Sequence, residues 1–257
     1  MTNTTVTIDY LPESATKYIH NSIQKQAIVC IDVFRATTTA ITALSLGRDV
    51  YPVATTDEAF ELAKILDNPL LIGEQGGNIP YGFDLTNSPV QVIALHEIPS
   101  GDYTQPDREL ILLSSSGTRL IKNVATSPAV YIACLRNLTV MADYLSDNYK
   151  HVVILGAGTH GEFRREDQMG CAWLAEKLLN RGYTASSILT QDCIKHWSGK
   201  SINEARLGRS ADYLKRSGQV HDMEFILHHF DDLDLVAKYV KDKFKLIKGS
   251  TNSKHPW

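Results

Sequence analysis

The chain of 257 residues has four cysteines and no pairing pattern among them. Cys30, Cys134, Cys171 and Cys193 lie far apart, without a C-x-x-C pair or zinc spacing, so free buried thiols are expected rather than a disulfide framework. The lone C-x-x-H of Cys193 and His196 is not a metal site by itself. A dominant charge is also lacking: the formal net charge is −3, with acids and bases interspersed. That excludes the basic footprint of a nucleic-acid binder and a polybasic membrane-docking segment. No apolar run approaches membrane-spanning length, and residues 1–5 have neither the basic start nor the apolar core of a secretion signal. A cytoplasmic protein without a membrane partner is therefore expected. Repeats and low-complexity tracts are absent too, and 43% hydrophobic residues suffice for a large core.

What is present is an alternation of apolar runs and helical periods. Residues 6–11 alternate and predict an edge strand. Apolar runs at 27–31, 50–53, 69–74, 109–114, 129–135 and 151–156 read as strands, because a sheet covered by helices must be apolar on both faces. Helices are expected at 36–46, 57–67, 118–125, 137–149 with Asn137 as its cap, and 168–181, two of them stopped by Gly47 and Gly182. This is βαβ alternation with helices on both faces of the sheet. Residues 101–108 read as a polar connector, 185–248 as mostly helical and 251–257 as a loose tail.

Chemistry converges on the stretch 27–39, AIVCIDVFRATTT. An apolar strand runs into Asp32, with Arg35 just beyond and Thr37, Thr38 and Thr39 behind it. Threonines suit a helix start, where hydroxyls cap free amides, better than a helix interior. The amides and Arg35 favour an anion, and Asp32 can hold a cation. The other reading keeps Asp32 and Arg35 as a structural ion pair and the threonines as caps. A second such corner is Ser114-Ser115-Ser116-Gly117-Thr118, between a strand and a helix, where small residues let amides approach an anion. A plain capped turn is its alternative. Residues 74–89, EQGGNIPYGFDLTNSP, lack any period and read either as a functional loop bearing Glu74, Asp84, Asn87 and Ser88 or as exposed turns.

Glu162, Glu166 and Asp167 precede the helix at 168–181 and can be simple partners of its dipole. Together with Asp32 and Glu74 they supply enough carboxylate for Mg²⁺, and magnesium beside an anion pocket means phosphoryl chemistry. Residues 156–161, GAGTHG, satisfy G-x-G-x-x-G and raise a dinucleotide-binding alternative. The helical period begins only near Met169, however, and the acidic residue expected about 20 positions on is missing.

As a set, IDVFRATTT at 31–39, GEQGG at 73–77, GFDLTNSP at 82–89, SSSGT at 114–118 and GAGTHGEFRREDQMGC at 156–171 resemble the 2-phosphosulfolactate phosphatase (ComB) family. The resemblance implies a three-layer α/β/α fold with a mixed, largely parallel central sheet. It implies one domain over 1–250, open to division into two sublobes, before a flexible tail at 251–257. The implied reaction is Mg²⁺-dependent hydrolysis of 2-phosphosulfolactate to sulfolactate and phosphate, in coenzyme M biosynthesis; attack by water is the expected route and an Asp32 acyl-phosphate the alternative, since the second aspartate of aspartyl-phosphate enzymes is replaced by Phe34. Carried over by position, Asp32, Arg35 and Glu162 are expected to be catalytic. Thr37, Thr38, Asn87, Ser88, Ser115, Ser116, Gly117 and Thr118 are expected to bind substrate, and Asp32, Glu74 and Asp167 to bind the metal. The expected partner is a small phosphorylated anion, and a homo-oligomer would cover an apolar sheet edge. Rival readings are a phosphatase of another 2-phospho carboxylic acid, a NAD(P)-dependent oxidoreductase, and a small-anion binder without turnover.

Overall fold

A computed structural model describes residues 4–10, 15–19, 25–97, 108–158 and 161–248. In chain order the strands are β1 (Thr5–Tyr10), β2 (Gln26–Ile31), β3 (Val50–Val53), β4 (Leu70–Gly73), β5 (Leu110–Leu113), β6 (Val130–Ala133), β7 (His151–Gly156), β8 (Thr184–Ala185), β9 (Val236–Val240) and β10 (Lys243–Lys248). The helices are α1 (Ala36–Ser45), α2 (Thr56–Ala63), α3 (Pro89–Glu97), α4 (Gly117–Val124), α5 (Leu138–Asn148), α6 (Arg165–Leu179), α7 (Ile188–Trp197), α8 (Arg209–Arg216) and α9 (Val220–His228). Short 3₁₀ turns occupy Thr16–Tyr18 and Ile202–Leu207.

The ten strands form one sheet in the order β4-β5-β3-β10-β9-β6-β2-β7-β1-β8. Two parallel blocks, β4-β5-β3 and β6-β2-β7-β1-β8, are joined by the antiparallel hairpin β9-β10. The fold is three-layer α/β/α around a mixed, largely parallel sheet. Strands β4, β5 and β6 are buried along their whole length, as their unbroken apolar sequences require.

Helix α1 organises the centre. All ten of its residues are buried, and it touches β3 and β5 of one block and β6 of the other. Its small residues, ATTTAITALS, allow neighbours on every side. Enclosing this helix brings the carboxyl ends of β4 and β5 beside that of β2, although the strands are far apart in sheet order.

Several sequence expectations are corrected. β1 is not an edge strand, since it pairs with β7 on one side and the two-residue β8 on the other. Residue 11 lies outside the described residues. Residues 236–248 are not helical: β9 and β10 form a hairpin turning at Lys241 (φ 49°) and Asp242 (φ 67°), the left-handed pair that a tight hairpin turn demands. Helix α3 was not anticipated, and Pro89 opens it at the position where a missing N–H costs nothing. Asn137 stands at the start of α5 without capping it; its Oδ1 accepts from the Cys134 N–H (3.0 Å) and its Nδ2 donates to the Leu235 carbonyl (3.1 Å). Helix α6 begins three residues earlier than expected, at Arg165, which puts Glu166 and Asp167 in its first turn. Residues 101–107 and 251–257 lie outside the described residues. Among the described residues no helix is long and apolar enough to cross a membrane.

Candidate active site

Asp32 follows β2 directly and is 7% exposed. Its backbone is pinned by Thr37, whose Oγ1 accepts from the Asp32 N–H (2.9 Å) and donates to the Asp32 carbonyl (2.8 Å). Thr38 Oγ1 donates to the Val33 carbonyl (2.9 Å). The two threonines expected to bind substrate are thus used up on the turn and do not line the cavity. The Ala36 N–H donates to the Asp32 carboxylate, so α1 presents its first amide to that charge.

The second corner is built alike. The Ser114 N–H donates to Thr118 Oγ1 (2.9 Å), the Thr118 N–H to Ser114 Oγ (3.0 Å), and Thr118 Oγ1 to the Ser114 carbonyl (3.0 Å). Thr118, another expected substrate ligand, therefore serves the turn. Gly117 lies behind Asp32 rather than in the cavity: a Cβ there would stand 2.2 Å from Asp32 Oδ2. Ser115 and Ser116 do line the cavity.

That cavity has a volume of about 590 Å³. Four carboxylates face it: Asp32, Glu74, Glu166 and Asp167. Half-buried Glu74 accepts from the Ser115 N–H (2.7 Å), Ser115 Oγ (2.9 Å) and the Gly77 N–H (2.7 Å). Asp167 Oδ1 accepts from the Val33 N–H (2.8 Å), tying α6 to the Asp32 turn. Burial, helped by the charges of Glu74 and Glu166, pushes the Asp32 carboxyl up to about 7. Burial, then Asp32 and Glu166, holds Asp167 well above the usual range, and burial raises Glu166. Such a cluster calls for protons or a cation.

Among the described residues no three His, Cys, Asp or Glu side chains are gathered to hold a metal unaided. Magnesium ordinarily takes one or two carboxylates and completes its shell with water and phosphate oxygens. The donors fit that mode, and Glu166 Oε2 and Asn87 Oδ1 are buried here without a hydrogen-bond partner.

Arg35 is not paired with Asp32. Its Nη1 donates to Asp222 Oδ2 (2.6 Å) and to Gln219 Oε1, while Ser88 Oγ donates to Asp222 Oδ1 (2.5 Å). The Arg35 and Asp222 side chains are 3% and 0% exposed. Arg35 borders the cavity with its charge compensated from α9, and Ser88 is turned away from the cavity. Glu162, expected to be catalytic, is exposed and does not line the cavity; it accepts from Arg164 Nη1 (3.1 Å) and Arg209 Nη1 (2.6 Å). Its neighbour Glu166 is the acid that α6 delivers to the interior.

Sequence reading did not assign Arg119, Arg164, Arg209 and Tyr213, which also border the cavity, or Asp222 behind it. Arg164 lies inside a quoted motif and Arg119 one residue after another. For Asp222, only buried contacts mark a role. The GAGTHG run does not open a helix, since α6 starts at Arg165. Gly156 instead packs on Phe163, where a Cβ would meet the ring at 2.2 Å. Thr159 and His160 lie outside the described residues.

A sequence model of the family described as 2-phosphosulpholactate phosphatase matches residues 13–242. A probable 2-phosphosulfolactate phosphatase of Caldanaerobacter subterraneus subsp. tengcongensis is 32% identical over 84% of this chain and 88% of its own length. One of Pseudothermotoga lettingae is 32% identical over 91% of this chain and 96% of its own. The 2-phosphosulfolactate phosphatase of Methanocaldococcus jannaschii is 28% identical over 86% and 92%. With its carboxylate cluster at the end of β2 between two helix starts, and with these likenesses over most of its length, the chain belongs to the 2-phosphosulfolactate phosphatase family.

Proposed function

We propose that the protein is a Mg²⁺-dependent phosphatase that hydrolyses 2-phosphosulfolactate to sulfolactate and phosphate. The observation that carries this reading is the placement of Asp32, Asp167 and Glu166 in one buried cavity beside the first turns of α1 and α4. The relatives' names supply the substrate.

Asp32 and Asp167 would hold the metal, while the oxygens of Glu74 are taken by Ser115 and the Gly77 N–H. Bound there, Mg²⁺ would neutralise phosphate oxygens and acidify a water. The Arg35 guanidinium at the cavity border stabilises the charge that grows on the phosphoryl oxygens. Glu166 Oε2, buried and without a partner, accepts the proton of the attacking water. Asp222 fixes the Arg35 guanidinium at the border of the cavity.

The test is phosphate release from 2-phosphosulfolactate with Mg²⁺ and with chelator. Metal-dependent release is expected, with Asp32→Asn lowering it by about a thousandfold or more and Glu162→Gln leaving more activity than Glu166→Gln. Absence of release by folded protein supplied with Mg²⁺ would refute the reading.

A further inference from the structure

We propose that Arg119, Arg164 and Arg209 form a second anion subsite, at the mouth of the cavity, that takes the sulfonate of the substrate. This rests on the phosphatase reading above. A 2-phosphosulfolactate molecule carries a phosphate, a carboxylate and a sulfonate, and the floor of the cavity is acidic. An anion not screened by a metal is repelled there by Asp32, Asp167 and Glu166, and so must lie elsewhere.

The interior offers it little. Arg35 is compensated by Asp222 (2.6 Å), and the hydroxyl of Ser88 is committed to the same carboxylate (2.5 Å). Ser88 therefore has no free donor for an anion. Asn87 borders the cavity, and its Oδ1, an acceptor, is buried there without a partner.

The mouth has what the floor lacks. Arg119, Arg164 and Arg209 all border the cavity. Arg164 and Arg209 share one carboxylate, that of Glu162 (3.1 and 2.6 Å), so this pair of cations keeps an excess positive charge. Arg119 is exposed in the first turn of α4, beside Ser116, and makes no ion pair among the described residues. Of the three guanidinium groups, only those of Arg164 and Arg209 have a direct ion-pair partner among the described residues, the single carboxylate of Glu162. Their planar forks match the oxygens of a sulfonate, a strong-acid anion that stays charged at any working pH and needs donors rather than a proton.

The subsite predicts discrimination between 2-phosphosulfolactate and 2-phospholactate, which is the same skeleton without the sulfonate. Wild-type protein should show a clearly lower KM for the sulfonated substrate. Arg119→Gln and Arg209→Gln change exposed side chains, so neither depends on the core for folding. Each should raise KM for 2-phosphosulfolactate by roughly tenfold, the scale of a charge-assisted contact at a partly solvated site, and KM for 2-phospholactate much less. Arg164 is left intact, because its charge also acts on Glu166 and Asp167. Equal KM values for the two substrates in the wild type, or a rise in each variant that is the same for both substrates, would overturn the subsite while leaving the phosphatase standing. If the wild type releases phosphate from neither substrate, the phosphatase reading fails and the subsite with it.

Discussion

Gly117→Ala separates catalytic geometry from fold with one methyl group. Gly117 is the first residue of α4, where alanine is the better helix former by about 1 kcal/mol on propensity alone. Its backbone is not in the left-handed region reserved for glycine. Propensity therefore predicts a neutral or slightly stabilised protein. The site predicts otherwise: the new Cβ would lie 2.2 Å from Asp32 Oδ2, 2.9 Å from Asp32 Cβ and 2.8 Å from Ala36 Cβ. Ordinary contacts begin near 3.4 Å, so the Asp32 carboxylate must move by roughly 1 Å, and a displacement of that size costs about a hundredfold in rate. Ala36 cannot give way, because α1 is buried on every side. The assay is kcat/KM for Mg²⁺-supported phosphate release, with thermal melting alongside. A hundredfold loss with a melting temperature within a few degrees of wild type is expected. A variant within threefold of wild-type activity would show that the Asp32 carboxylate need not stand where the structure holds it.

Two further outcomes follow from the same geometry. Asp222→Ala leaves the buried Arg35 guanidinium without its carboxylate, which should cost about 3–5 kcal/mol of stability, measured by urea unfolding; a loss below about 1 kcal/mol would mean that Arg35 swings into the cavity and is resolvated. In chelator, the raised Asp32 pKa makes the folded chain bind protons more tightly than the unfolded chain, so this contribution is fully present below pH 3.8 and is lost as pH rises to about 7. The stabilisation conferred by Mg²⁺ should therefore be larger at pH 8 than at pH 6, and Asp32→Asn should flatten the difference; equal melting shifts at both pH values in the wild type would refute a metal at this carboxylate.

The parts of the fold legible in the sequence were those written in local apolar pattern. β2, β4, β5, β6 and β7 are buried runs that permit hardly any other reading. β9 and β10 escaped because their lysines dilute the apolar signal and their turn uses Lys241 and Asp242 at positive φ, without the glycine that usually announces a hairpin. The corners of the site were legible for the same local reason, since a carboxylate at a strand end before a hydroxyl-rich helix start is a pattern within a few residues. The roles inside those corners were less so. A hydroxyl near a turn goes to whichever backbone group the turn brings within reach, and for Thr37, Thr38 and Thr118 that group lies four or five residues back along the chain.

Charge is the least local property of all. Arg35 reads in sequence either as the phosphate grip or as the ion-pair partner of Asp32, yet its counter-charge comes from Asp222, 187 residues further on. Arg119 reads as an ordinary surface cation until α4 is placed against the cavity. A sequence shows where charges gather, and only the fold shows which of them remain uncompensated. That remainder decides what a polyanionic substrate meets: a deep guanidinium already balanced by a carboxylate, an acidic floor that requires a cation, and a rim on which Arg164 and Arg209 share the single charge of Glu162 while Arg119 makes no ion pair among the described residues. On this division the rim, more than the floor, distinguishes one 2-phospho acid from another.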